Sequence, residues 1–225
     1  HTLIRPNLPG HGISPHPQTR DYTIDAFARD IELLFEHFRL DRAVLVGLSM
    51  GGTIAQRFAV DNPARLDGLV LVGATPHGLG PDVNAENVLR AIDKAGVARS
   101  SQDVIEKSFA SVAPRSLVEF AKREVVQTPD FVARAAIRSL NAADSRPWLK
   151  SIKVPTLVVV GEDDIITPPQ ESKELADGIP SAELRIVEKA GHFPMLEQPA
   201  AFNPMLRNFL SKLPRHAPAL QRSLA

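Results

Sequence analysis

Short runs of apolar residues alternate along the chain with stretches in which apolar positions recur every three or four residues. The short runs lie at 43–46, 69–72, 156–160 and 184–187, and the first two are apolar at every position. Strands of that kind, separated by helices, are typical of a parallel sheet covered by helices on both faces. The pattern therefore predicts an α/β fold with a mostly parallel sheet.

The clearest helix is predicted to begin after Thr23, a residue type that caps helix N-termini. Apolar residues follow at offsets of three, four and seven, which places them on one helical face: Ile24, Phe27, Ile31, Leu34, Phe35 and Phe38. Ahead of this helix, Leu3 and Ile4 are interpreted as the remnant of a strand. A turn rich in Pro and Gly, at 6–12, closes it.

The alternation of strands and helices stops between residues 81 and 147, where apolar positions recur at helical spacing throughout. This change predicts four parts along the chain. They are the first part of an α/β core at 1–80, an all-helical insertion at 81–147, the second part of the core at 148–213, and a tail at 214–225. Within the core, a helix is predicted from about Thr53 to Val60, and the last helix is predicted to open at Asn203 and Pro204.

Composition excludes several classes of protein. The 225 residues contain 26 Lys and Arg against 26 Asp and Glu, so no excess charge favours nucleic acid or an anionic membrane surface as a partner. The chain has no Cys, which excludes disulfides, a thiolate nucleophile and Cys-ligated metal sites. No apolar run approaches the roughly 18 residues of a membrane span. We expect a globular protein located in the cytoplasm.

A glycine-rich motif, Gly47-Leu48-Ser49-Met50-Gly51-Gly52, lies between a predicted strand and a helix. Gly-x-Ser-x-Gly at such a turn is typical of a nucleophilic serine that is held clear of a sheet in a strained conformation. We expect Gly47 and Gly51 to be required, because side chains two residues either side of Ser49 would collide. The alternative is an ordinary turn or a phosphate loop, but neither the dinucleotide spacing nor a Gly-Lys-Ser/Thr sequence is present.

A serine hydroxyl becomes a good nucleophile when a neighbouring His takes its proton and an acid orients that His. His192 is the best candidate among seven histidines, because it follows a predicted strand in the loop 190–194. The acid is expected after another strand, and the loop 161–168 offers both Asp163 and Asp164. Either Asp could instead bond the backbone of its turn, so these residues alone leave the choice open.

Four motifs, in this order, resemble those of the α/β-hydrolase fold family, and in particular its small cap-bearing esterase and lactonase branch. They are Pro9-Gly10-His11-Gly12-Ile13-Ser14, the turn 47–52, Gly161-x-x-Asp164-x-x-x-Pro168, and Gly191-His192-Phe193-Pro194-x-x-Glu197-x-Pro199 followed by Phe202. The family spacing selects Asp164 as the acid. The resemblance also implies the triad order Ser49, Asp164, His192, an oxyanion donor at the backbone N–H of Met50, and a lid formed by the helical insertion.

The activity that the resemblance implies is hydrolysis of a small carboxylic ester or lactone, with no metal or other cofactor. The turn at Ser49 looks like that of enol-lactonases that open 3-oxoadipate enol-lactone. Cofactor-free perhydrolases and haloperoxidases carry similar turns, and some family members bind ligands without turnover, so these remain alternatives. His77, Trp148 and Phe193 are candidate pocket residues, although the two aromatic side chains could equally belong to the core.

The start of the chain departs from the family pattern. Family members carry further strands and a helix before the Pro-Gly-His-Gly loop, including a central strand and the loop that supplies a second oxyanion N–H. The chain begins at His1, without Met, and we interpret it as lacking its true N-terminus. Because loss of a central strand leaves strand edges unpaired, we expect the 225 residues made alone to be unstable and nearly inactive.

Overall fold

Four parallel strands form the sheet in this computed structural model, which describes residues 1–80, 83–125 and 127–214. The strands are β1 (Ala43–Leu48), β2 (Leu66–Val72), β3 (Thr156–Gly161) and β4 (Ala182–Val187). They lie side by side in chain order, with Val46 opposite Val70, Val70 opposite Leu157, and Leu157 opposite Glu183. The carboxyl ends of all four strands therefore lie at one edge of the sheet, where α/β proteins place their ligands.

Helices connect and flank these strands. They are α1 (Ile24–His37), α2 (Met50–Asp61), α3 (Ala85–Ala95), α4 (Val97–Ser100), α5 (Gln102–Lys107), α6 (Arg115–Val125), α7 (Asp130–Asn141), α8 (Pro169–Gly178), α9 (Pro194–Glu197) and α10 (Pro199–Ser211), with short 3₁₀ helices at Pro63–Arg65 and Arg146–Ser151. The five helices α3 to α7 follow one another between β2 and β3. We call them the inserted helices.

The side chains of β2 show how the sheet is covered. Leu69 and Leu71 join a core cluster that includes residues of α1, α2 and α8, whereas Val70 and Val72 join a second cluster that includes residues of α10. Successive strand residues point to opposite faces, and every residue of β2 is buried. The sheet thus has helices on both faces, which confirms the predicted α/β fold class.

The predicted helix after Thr23 is confirmed. Thr23 caps α1, since its hydroxyl accepts a hydrogen bond from the backbone N–H of Ala26 at 3.2 Å. The helix buries Phe27 and Phe35 in the core, and Phe35 packs against Phe58 of α2 with ring centroids 5.1 Å apart. This packing seats α1 and α2 together on one face of the sheet.

Two strand predictions at the start of the chain are wrong. Leu3 and Ile4 form no strand: they have no ladder partner within the described residues, and Leu3 is 77% exposed. The run 43–46 forms β1 but is not fully buried, and Val46 is 49% exposed. β1 pairs with β2 alone in the described sheet, so Val46 lies on an edge strand that has a neighbouring strand on one side only, and Leu3 and Ile4 do not pair with its other edge.

Two helix starts also differ from prediction. The helix after the glycine-rich turn begins at Met50, directly after Ser49, rather than near Thr53. The last helix begins at Pro199, and Pro204 lies inside it rather than opening it. Of the predicted boundaries, residues 81–82 and the tail 215–225 lie outside the described residues. Within the described part of the chain, no helix has the length and apolar content needed to cross a bilayer.

Candidate active site

Ser49 occupies the sharp turn between β1 and α2. Its backbone has φ 52° and ψ −122°, a combination that costs a residue with a side chain about 1–3 kcal/mol and that collects at functional sites. The surrounding backbone holds it there: the N–H of Ser49 donates to the carbonyl of Val72 at 2.9 Å, and its carbonyl accepts from the N–H of Gly52 at 2.8 Å. The turn is therefore tied to β2 on one side and to the first turn of α2 on the other.

Glycine is required on both sides of Ser49, but not at both of the expected positions. A Cβ on Gly47 would lie 2.2 Å from the carbonyl oxygen of Gly51, and a Cβ on Gly52 would lie 2.5 Å from the Cβ of Ala74. A Cβ on Gly51 would meet nothing within 4 Å. The expectation for Gly47 is confirmed and that for Gly51 is wrong, because it is Gly52 that faces the neighbouring loop.

His192 and Asp164 form a buried pair at the carboxyl edge of the sheet. His192 lies in the loop after β4 and Asp164 in the loop after β3, with 2.8 Å between His192 Nδ1 and Asp164 Oδ2. The side chains are 5% and 0% exposed. Asp163, the competing acid, is exposed. The structure thus brings together His192 and the aspartate that the family spacing selects.

The Asp164 carboxylate accepts further hydrogen bonds that fix its orientation. The backbone N–H groups of Ile166 and Thr167 each donate to Oδ1 at 2.9 Å, and the Thr167 hydroxyl donates to Oδ2 at 2.9 Å. The same hydroxyl oxygen lies 3.2 Å from His192 Nδ1. In each of these contacts the carboxylate oxygen is the acceptor, so the contact with His192 Nδ1 takes its donor from the imidazole. Nδ1 therefore carries the proton that points to Asp164, and the lone pair of the neutral ring is on Nε2.

The end of β2 brings Ser49 and the pair together. Val72 accepts the Ser49 N–H, and the next residue, Gly73, would place a Cβ 3.0 Å from His192 Nδ1 and 3.2 Å from Asp164 Oδ2. Within the described residues the Ser49 hydroxyl forms no hydrogen bond. Catalytic hydrogen bonds are often long in unliganded enzymes and tighten when substrate binds. Ser49 and the pair thus lie beside consecutive residues, Val72 and Gly73, at the end of β2.

The N-terminus of α2 points its N–H groups toward this edge. The first N–H groups of a helix have no acceptor within the helix, and the helix dipole adds partial positive charge there. Met50 is the first residue of α2. Its backbone N–H is thus available to an oxygen that becomes negative beside Ser49.

The three candidate pocket residues lie in different surroundings. The Phe193 ring lies 5.3 Å from the His192 ring and 4.9 Å from that of Phe109, which follows α5. Trp148 packs against the larger core cluster, and it lines a groove together with residues of α1, α2 and α7 rather than with the catalytic candidates. His77 is half-buried beside Glu171. Of these three described residues, Phe193 is the one whose ring packs against a candidate catalytic residue, and a pocket role for all three stays a prediction.

One cluster among the described residues has the donor types of a metal site. His77, Glu171 and Glu174 each offer a ligand atom, and these atoms lie within 4.8 Å of one another. His77 Nε2 and Glu171 Oε2 are 2.6 Å apart and form an ion pair when the imidazole is protonated. This pair joins the loop after β2 to the start of α8.

Comparison with known proteins agrees with the observed fold. A family model described as the alpha/beta hydrolase fold matches residues 1–199. The chain belongs to the α/β-hydrolase fold family. Both the fold and the hydrolase class that the resemblance implied are thereby confirmed.

Relatives of this α/β hydrolase include enzymes named for ester and lactone hydrolysis. It is 29% identical over 198 residues to 3-oxoadipate enol-lactonase 2 of Acinetobacter baylyi, an alignment that covers 86% of this chain and 73% of that protein. The structure of Est816, described as an N-acyl homoserine lactone degrading enzyme, is 31% identical with a TM-score of 0.78 and covers 90% and 80% of the two chains. A thermophilic esterase from Thermogutta terrifontis is 30% identical with a TM-score of 0.81, covering 91% and 78%.

The structure of this α/β hydrolase adds residues that sequence reasoning missed. Thr167 was an unassigned position within the motif 161–168, although its place three residues after Asp164 is one where a hydroxyl can reach back to the carboxylate. Gly73 belongs to none of the four motifs, and the sequence shows only that it follows a predicted strand. His11, in the first of the four motifs, lies against Phe27 with ring centroids 5.6 Å apart, and burial lowers the pKa of its imidazole more than its bond to the Pro9 carbonyl raises it.

Proposed function

We propose that this chain is a serine hydrolase that cleaves a carboxylic ester or lactone through an acyl-enzyme on Ser49. The observation that carries the proposal is the buried 2.8 Å contact of His192 Nδ1 with Asp164, at the edge of the sheet where the strained Ser49 also lies. Nucleophile, base and orienting acid come from three different loops. A protein that only binds a ligand would not need these three groups close together.

The reaction begins with attack of Ser49 Oγ on the substrate carbonyl carbon while His192 Nε2 takes the hydroxyl proton. The carbonyl π electrons move to the oxygen, and the backbone N–H of Met50 donates to this oxyanion. Asp164 stabilises the imidazolium and keeps its ring oriented, with Thr167 and two backbone N–H groups holding the carboxylate. Fixed donors of this kind need no reorganisation as charge develops.

Collapse of the intermediate breaks the bond to the alkoxide leaving group, which receives the proton from His192 Nε2. For an ester the alcohol departs, whereas for a lactone it remains attached to the acyl chain. Water then attacks the acyl-enzyme, with His192 again as base. The carboxylic acid is released, and the Ser49 hydroxyl is regenerated. The groups of this chain that act in these steps are Ser49, His192, Asp164 and the backbone N–H of Met50, together with water.

The choice between ester and lactone is drawn from the relatives. The enol-lactonase and Est816 are named for lactones and the Thermogutta terrifontis protein for esters, and their identities to this chain lie within a few per cent of one another. We therefore assign a small oxoester, open or cyclic, as the substrate class. 3-Oxoadipate enol-lactone is one member to include among the compounds tested.

The test is turnover of p-nitrophenyl acetate and γ-butyrolactone by the native gene product, with Asp164→Asn compared with Asp163→Asn. Loss of the orienting carboxylate lowered kcat about 10⁴-fold in a well-studied triad, and we expect a similar fall for Asp164→Asn. The exposed Asp163 provides the same change of charge one residue away, and Asp163→Asn should keep full activity. Equal activity of the two variants, or activity that requires hydrogen peroxide, would contradict the proposal.

A further inference from the structure

The loop that carries His192 is covered by a segment of the inserted helices. This segment, residues 108–110, follows α5, and all three of its residues are buried. The backbone N–H of His192 donates to the carbonyl of Ser108 at 2.7 Å. A Cβ on Gly191 would lie 2.5 Å from that same carbonyl oxygen and 2.8 Å from the N–H nitrogen of Ala110. The two backbones are in direct contact, and only glycine fits between them.

The carboxylate of Glu197 joins the two backbones. Oε1 accepts from the N–H of Gly191 at 3.0 Å and from the N–H of Phe193 at 3.2 Å, the residues on either side of His192. Oε2 accepts from the N–H of Ala110 at 2.8 Å. Glu197 thus binds both neighbours of His192 with one oxygen and the 108–110 segment with the other.

We infer that Glu197 is a positioning residue that locks the His192 loop to the 108–110 segment, so that His192 and the inserted helices keep one fixed relationship. The inference rests on the proposed function, in which His192 is the general base. Charge-assisted hydrogen bonds are about twice as strong as neutral ones, and three of them converge on Glu197. Together they restrict the backbone on both sides of the base.

This lock has a consequence for the inserted helices. If they opened as a rigid lid at the 108–110 segment, they would break the Glu197 bond to Ala110 and the His192 bond to Ser108 together. Movement there would displace the general base, and a displacement of about 1 Å can cost two orders of magnitude in rate. The 108–110 segment should therefore stay attached to the His192 loop during turnover.

The substitution Glu197→Gln tests the inference with almost no change in side-chain size. A carboxamide has one acceptor oxygen and one NH₂ donor. Whichever way it turns, its NH₂ group faces either the Ala110 N–H or the N–H groups of Gly191 and Phe193. The matched control is Glu188→Gln, which makes the same change of charge at an exposed position before the same loop.

Two readouts in the native gene product separate positioning from general stability. For p-nitrophenyl acetate, at a temperature where Glu197→Gln and Glu188→Gln are both fully folded, Glu197→Gln should lower kcat about tenfold and leave KM almost unchanged. Hydrogen exchange of the peptide that contains Ala110 should become faster in Glu197→Gln alone.

Each outcome bears on the inference in a defined way. Faster exchange at Ala110 without a fall in kcat would overturn the positioning role, and a fall in kcat with unchanged exchange would overturn the link to the 108–110 segment. If Glu197→Gln does not fold, Glu197→Asp keeps the charge but is too short to reach both backbones, and the same results are expected. A wild-type protein that turns over no ester or lactone would refute the proposed function, whereas the exchange experiment would still report on the lock.

Discussion

Gly73 gives His192 the space in which its imidazole lies. A Cβ at position 73 would lie 3.0 Å from His192 Nδ1 and 3.2 Å from Asp164 Oδ2, and Gly73 also has a positive φ of 48°. Its N–H donates to the Val159 carbonyl at 2.9 Å, so that β3 holds this backbone in place. A side chain at position 73 would therefore have to push against both His192 and Asp164.

The substitution Gly73→Ala should lower activity far more than stability. The left-handed conformation costs an alanine about 1–2 kcal/mol, whereas the new methyl group would push the imidazole from its place and lower kcat by about 100-fold. Kinetics and urea unfolding of the same preparation measure the two effects. A variant with wild-type kcat would show that the contact of Gly73 with His192 does not matter.

The glycines beside Ser49 should respond to alanine in opposite directions. Gly47→Ala forces a Cβ into the Gly51 carbonyl and should destabilise the fold by at least about 3 kcal/mol, at the upper end for single substitutions. Gly51→Ala meets open space in the first turn of α2 and should be neutral or stabilising by up to about 1 kcal/mol. Urea denaturation compares the two, and equal destabilisation would contradict the geometry of the turn.

Thr167 should contribute through its hydroxyl rather than its methyl group. Thr167→Val keeps the shape but removes the donor to Asp164 Oδ2, and hydrogen bonds to charged groups are worth about 1.5–3 kcal/mol. We expect Thr167→Val to lower kcat about tenfold or more and Thr167→Ser to restore most of it, since each 1.36 kcal/mol corresponds to a factor of ten. Similar losses in both variants would indicate a packing role instead.

His11 should make the protein less stable as the pH falls below the ordinary pKa of a histidine side chain. Burial lowers the pKa of His11 in the folded state, so the unfolded chain takes up a proton near pH 6.5 that the folded chain does not, and stability falls from there toward the folded pKa. His11→Gln cannot titrate. Urea unfolding at about pH 7.5 and about pH 5.5 should show a larger loss for wild type than for His11→Gln, and parallel losses would contradict this.

The sequence predicted the fold class and the loops of the candidate site because both depend on local patterns. Continuous apolar runs marked β2 and β3, which are buried at every residue. The same type of run predicted a buried β1, but Val46 is exposed. Its exposure depends on which strands lie beside β1 and not on the sequence of β1 itself. Periodicity shows which residues can form a strand, but the sheet order decides which are covered.

The finer features of the site depend on contacts between distant parts of the chain. By symmetry about Ser49, Gly51 is the expected position with no room for a side chain. The position without room is Gly52, because Ala74 of another loop lies against it. Ser108 and His192 are joined through their backbones, and backbone contacts leave little trace in side-chain patterns. The roles of Gly73 and Thr167 emerge only when the loops after β2, β3 and β4 are seen together.

Fluorophosphonate labelling of the native gene product, with the adduct located by mass spectrometry, tests the central claim most directly. The probe reacts with activated serines, so wild type should be labelled at Ser49, and Ser49→Ala and His192→Ala should abolish labelling. Ser211→Ala, at an exposed position on α10, should leave labelling unchanged. A well-folded wild-type protein that takes up no label, or one labelled equally well in His192→Ala, would contradict the account of an activated serine.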